Sequence, residues 1–326
     1  GMSYEAFLRL HTGLPLYSGY GTVTHFYLGK KGRIPEGAER FAGIGDYVAM
    51  RLTGRKAPLV EESMAAGFGG FDLGKGGFVL DRLARTGVDV GFYPELSRKG
   101  ERAGDWEGVP VCCAVGDNQA SFYGAVDRPE EQVSINVGTG SQVSVFDSRL
   151  MPAQGVEIRP FFGSGYLYVG ASLNGGKVYE RLAAFFEETV EAFTGERVNA
   201  YETMARLGGG KRDTALRIRP LLYGERGDGA ENTGELGGMN GLTFDTFHPA
   251  DLIRAYVRGM ADELYRLYER FPAEIRKGKQ EIVASGNGIR KNPLLAQEVA
   301  GRFGMKVVIG ETQEEAAAGA ARAALR

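Results

Sequence analysis

The alternation near the end of the chain constrains its fold most. A strand-like QEIVAS at residues 280 to 285 empties into glycines at 286 to 288. A helical pattern follows over 293 to 303, KVVI at 306 to 309 is strand again, and 313 to 325 is helical. Two neighbouring strands joined through a helix run parallel, with the helix crossing one face of the sheet. The expected fold class is therefore α/β. Residues 132 to 147 add more strand. They begin QVSINVGTGSQVSVF, two alternating runs joined by Gly138, Thr139 and Gly140 in the manner of a β-hairpin with a glycine-rich tip.

With 326 residues, 43% hydrophobic and 25% charged, the chain can build two cores, and a boundary is expected near DRPE at 127 to 130. The formal net charge is -2, and Lys and Arg are scattered rather than striped, so nucleic acid is not an expected partner. No run reaches the roughly 18 to 20 apolar residues that span a bilayer, so no membrane partner and a cytoplasmic location are expected. Cys112 and Cys113 are adjacent within VPVCCAV, where a mutual disulfide would be strained, and both read as core thiols. His11, His25 and His248 are too scattered for local metal-ligand spacing.

Helical periodicity covers residues 39 to 54, stopping at Gly54, and 77 to 86. The glycine-rich stretch 63 to 77 between them has no sustained period and is expected to be loop. GYLYVGAS, at 165 to 172, reads as strand. Residues 176 to 193 form an amphipathic helix with Val178, Leu182, Phe185, Phe186 and Phe193 near one face. The turn-rich segment 216 to 242 suits an exposed, lid-like connection, and a long helix spans 249 to 270.

Three places could carry chemistry. At the tip Gly138-Thr139-Gly140, backbone N–H groups can converge on an anion without Cβ obstruction, although such a tip can also be only a turn. Gly286, Asn287 and Gly288 lie past the carboxyl end of a strand, where α/β sheets bind ligands, while Asn292 could simply cap the next helix. The third place is AVGDNQASFYGAV, residues 114 to 126, where an apolar run ends at Gly116 and a helix begins at Asp117. An Asp there can cap the helix or serve as a base, and the residues alone leave both open.

Taken in order, these places resemble the FGGY carbohydrate kinases. DYVAMRLTG (46 to 54), SLNGGKVYERL (172 to 182), RPLLYGER (219 to 226) and EEAAAGAARAAL (314 to 325) stand where that family has related stretches. GDN (116 to 118) and YGTVTHFYL (20 to 28) are most similar to its sedoheptulokinase-like and xylulokinase-like members. The resemblance implies a ribonuclease H-like, actin-like ATPase fold of two domains, residues 1 to 127 and 128 to 326, with ATP and a small sugar in the cleft between them. It implies Asp117 as general base, Asn118 beside the sugar, Gly138, Thr139 and Gly140 at the phosphates, and Gly286, Asn287 and Asn292 along adenine and ribose. Mg²⁺ would arrive with the nucleotide, and no metal ligand of the protein's own is expected.

Two stretches depart from the pattern. The family opens with a strand and an Asp-x-Gly-Thr hairpin that forms a first phosphate site, and nothing similar precedes Met2; FDLGKGG at 71 to 77 follows no strand. The first domain is accordingly expected to be incomplete, with a homo-oligomer or a complementing N-terminal chain covering it. Residues 234 to 255 carry a turn-to-helix spacing several residues longer than usual.

Overall fold

The computed structural model describes residues 2–99, 101–210, 213–225 and 236–325. A six-stranded mixed sheet organises the second half. Its order across the sheet is Lys306–Ile309, Glu281–Ser285, Gln132–Val137, Ser141–Asp147, Tyr166–Ser172, Glu157–Pro160. The first three pair in parallel and the rest antiparallel, so the C-terminal alternation and the glycine-tipped hairpin form one sheet.

Strand periodicity sorts side chains to the two faces. Val133, Ile135, Val137, Val143, Val145, Ile282 and Ala284 join the main core with Ile253, Val257 and Leu264 of the long helix Pro249–Glu269. On the opposite face, Phe146, Leu167, Val169 and Val283 pack with Phe122 and Val126, from the helix Asp117–Ala125 and its end. Ser134 and Asn136 alternate with the core residues of their strand, so the side facing that helix is partly polar.

The first half is built from helices with small two-stranded pairings. Leu8, Leu16, Val23, Phe26 and Leu83 form one core, and Ala49, Leu59, Ala103 and Cys113 another. Lys279 ties the entry to the main sheet, its buried amine donating to the carbonyls of Pro129, Glu130 and Phe146 at 2.8, 2.8 and 2.9 Å. Burial brings its pKa down to about 8.

Several expectations need correction. The stretch 63 to 77 is not loop: it holds most of the helix Glu62–Phe68 and a small hairpin, Phe71–Asp72 with Gly77–Phe78. The helix is too short to show a period and is capped by the Glu61 carboxylate, while an edge-to-face pair between Phe71 and Phe78 closes the hairpin. The strand before Asp117 is only Val109–Cys112, paired with Arg102–Trp106, and Cys112 is half-buried whereas Cys113 is buried. On the helix Gly176–Thr194, Phe193 is 86% exposed and Phe185 51%; Val178, Tyr179 and Ala183 make the buried face. Of the lid-like segment, Arg217–Arg219 pairs with Gly238–Asn240, and residues 226 to 235 lie outside the described residues.

Candidate active site

Asp117 is the first residue of its helix, and Gly116 holds the cap position. The carboxylate is exposed, its Oδ1 accepting from the Asn118 amide at 2.7 Å. A helix start favours a negative group, and the glycine at the cap position has no side chain with which to cap it. The Asn118 side chain donates to Gln142 Oε1 at 3.0 Å, and Gln142 Nε2 donates to Ser144 Oγ at 2.8 Å. These bonds fix the start of the Asp117 helix to the descending strand of the glycine-tipped hairpin.

Asp117 and Asn118 open on a cleft of about 230 Å³ whose far wall is Ser134, Asn136, Gln142, Ser144 and Ser285. Asn136 donates to Ser285 Oγ at 2.9 Å, so two parallel strands present a joined polar edge. Gly138 follows the first of these strands and Gly286 the second. Glu315, also on its wall, is paired with Arg290 at 2.8 Å.

The glycine turns converge. The N–H of Gly176, first residue of its helix, donates to Gly138 O at 2.7 Å, and Lys177 N donates to Thr139 O at 3.5 Å. The helix thus spends its first amides holding the carbonyls of the tip. Backbones approach so closely that a Cβ on Gly175 would lie 2.1 Å from Gly140 O. Gly286, with φ +85, turns the neighbouring strand into the short helix Asn287–Arg290, and a Cβ on it would meet Val137 O at 2.5 Å. Ser141 Oγ donates to Asn174 O at 2.8 Å, and Asn174 bonds Gly224 and Tyr223 in turn.

Gly138, Thr139 and Gly140 therefore lie beyond the end of Gln132–Val137, and Gly286 and Asn287 beyond the end of Glu281–Ser285, while Asp117 and Asn118 line a cleft walled by Asn136 and Ser285 of those two strands. Asn292 stands apart. It is 5% exposed, its Oδ1 caps Pro293–Phe303 by accepting from Leu295 N at 3.1 Å, and its buried Nδ2 has no hydrogen-bond partner among the described residues. Reading the sequence missed Gln142, Asn136, Ser285 and Gly175. Polar residues at alternate strand positions carried a signal for Gln142 and Asn136, but the same pattern marks any solvent-facing strand.

Behind the Asp117 turn lie two acids. Asp46 is buried and its pKa is raised to about 6 by desolvation, against the Gly43 amide that bonds it at 3.0 Å. Burial also raises Glu61. Among the described residues, no group of three or more His, Cys, Asp or Glu is placed to hold a metal, and no helix is long and apolar enough to cross a membrane.

A model of the C-terminal domain of the FGGY family of carbohydrate kinases matches residues 133–326. The chain belongs to the FGGY family. It is 30% identical to the sedoheptulokinase of Mus musculus, over 94% of this chain and 67% of that protein, and 29% identical to that of Homo sapiens, over 96% and 68%. The solved xylulose kinase from Rhodospirillum rubrum superimposes with a TM-score of 0.80 at 21% identity, covering 99% of this chain and 66% of that one. The FGGY chain thus spans about two thirds of the length of these relatives, and its fold is the actin-like ATPase fold of sugar kinases.

Proposed function

We propose that the chain transfers the γ-phosphoryl group of ATP to a hydroxyl of a ketose or polyol in the cytoplasm, with Asp117 as general base and a heptulose or xylulose favoured as acceptor. The supporting observation is the polar cleft, in which Asp117 and Asn118 share the wall with Asn136 and Ser285, and these stand two residues and one residue before Gly138 and Gly286 in the chain. Its 230 Å³ is below the ~300 Å³ at which drug-sized ligand pockets begin, and suits the reacting ends of two substrates. The sugar preference follows the relatives named sedoheptulokinase and xylulose kinase.

In this reading Asn118 orients the sugar, and Asp117 takes the proton as the hydroxyl oxygen bonds the γ-phosphorus and ADP leaves. The transition state of phosphoryl transfer is loose and the proton departs late, so the orientation of the carboxylate matters more than its basicity. Gly138, Thr139 and Gly140 face the phosphates, and Gly286 and Asn287 the ribose and adenine. Asn292 acts through the helix it caps. Backbone N–H groups at the tip fit phosphate oxygens, and Mg²⁺ would be carried in by the nucleotide. When bound it neutralises charge on the β- and γ-oxygens.

A second reading, in which another polypeptide completes the phosphate clamp between the domains 1 to 127 and 128 to 326, draws on one observation. Helix Ile44–Thr53 leaves Ile44, Tyr47, Val48 and Leu52 exposed along one side, an apolar stripe of the kind that partners cover. Coupled ADP release over a panel of ketoses and polyols tests the first reading. Sugar-dependent release supports it; binding of an ATP analogue with no release for any acceptor favours the second.

A further inference from the structure

We propose that Ser63 and Glu61 are positioning residues for Asp117, acting through the backbone amide of Gly116; the inference rests on Asp117 being the general base. Gly116 precedes the helix, where amides lack intrahelical acceptors, and it has no side chain of its own to offer. Its N–H donates instead to Ser63 Oγ at 2.9 Å, across 53 residues, in a buried contact. The Ser63 hydroxyl donates to Glu61 Oε2, and the same oxygen accepts the Ser63 amide at 2.8 Å.

The direction of this relay is fixed by chemistry. The Gly116 amide can only donate, so Ser63 Oγ accepts from it, and the Ser63 hydroxyl proton is directed to Glu61 Oε2. The turn has little room to settle elsewhere. A Cβ at Gly116 would lie 3.3 Å from Ser63 O and 2.5 Å from Gln119 Oε1, and one at Gly45 would meet the Ala114 methyl at 2.8 Å. Asp117 follows directly on the amide so held, while its own carboxylate bonds only the adjacent Asn118 amide among the described contacts. What aims the carboxylate is therefore the backbone turn, and Ser63 holds that turn.

A purely local role, Glu61 capping its own helix, would leave turnover per folded molecule unchanged. The positioning role gives a different split. Ser63→Ala is expected to lower kcat about 10- to 10²-fold, the scale of a small misplacement of a catalytic group, with KM for ATP unchanged. Ser63→Thr, which keeps the hydroxyl, restores the rate, and Glu61→Ala gives a smaller loss of the same kind. In the unsubstituted protein the Gly116 amide is expected to exchange with deuterium far more slowly than an open amide, a measurement that needs neither turnover nor a variant that folds. Folded Ser63→Ala at the parent kcat, or a Gly116 amide exchanging like open loop, overturns the inference. Asp117→Asn with undiminished turnover would instead sink the general-base reading, with Gly116 protection unaffected.

Discussion

Gly124 and Gly319 face one another where the Asp117–Ala125 helix crosses the C-terminal helix Glu315–Ala324. A Cβ on Gly124 would fall 1.9 Å from Glu315 O, and one on Gly319 would fall 1.8 Å from Ala120 O. The helix that carries the proposed base is thus seated backbone to backbone on the last helix, and Arg322 reinforces the seat by donating to Tyr123 O at 2.7 Å. Overpacking a tight contact costs about 1 to 3 kcal/mol or more. Gly319→Ala is expected to lower the melting temperature and the turnover together. Gly301→Ala, in a helix with nothing within 4 Å, should instead gain about 0.4 to 1 kcal/mol. Equal melting temperatures for the two variants would contradict the contact.

Gly175→Ala tests the phosphate tip. With Gly140 O only 2.1 Å from the added carbon, the tip must move. If the tip clamps phosphate, losing it should cost about 10² to 10³ in rate, in the range measured for one electrostatic contact to a transition state. Binding of an ATP analogue, followed by calorimetry, should weaken as well. Unchanged affinity and rate would remove the tip from the site.

Asp46 sets a pH dependence of stability. Its pKa is raised by burial from 3.8 to about 6, so between these values the folded state binds a proton that the unfolded chain releases. Stability then falls as pH rises through this window, and the loss is complete above about pH 6. Asp46→Asn, which retains an acceptor for the Gly43 amide, should flatten the melting temperature between pH 4 and 6. An unchanged slope would show that Asp46 is not the group responsible.

Much of the sheet could be read from residue patterns, because alternation in QVSINV, YLYVGAS and EIVAS is a local property of each strand. Gly54 as a helix stop was legible for the same reason: it takes φ +69. The relay beneath Asp117 was not. Ser63 and Gly116 are 53 residues apart, and nothing in ESMAAGF distinguishes a hydroxyl that serves a distant amide from one in a loop. The Phe193 error has a similar origin. Helical spacing shows which residues share a stripe, but the helix runs past the end of the core, and Phe193 in its last turn stays 86% exposed. For Asp117 the sequence left cap and base both open. The structure assigns the cap position to Gly116 and leaves the carboxylate facing a polar cleft.

The central claim is that Asp117 takes the acceptor's proton. The most direct measurement compares the unsubstituted chain with Asp117→Asn, following sugar-dependent ADP release and the affinity for an ATP analogue in parallel. The expected result is a fall in kcat of about 10² to 10⁴, the usual worth of general acid–base catalysis, with nucleotide affinity unchanged. Turnover in Asp117→Asn equal to that of the unsubstituted chain would contradict it.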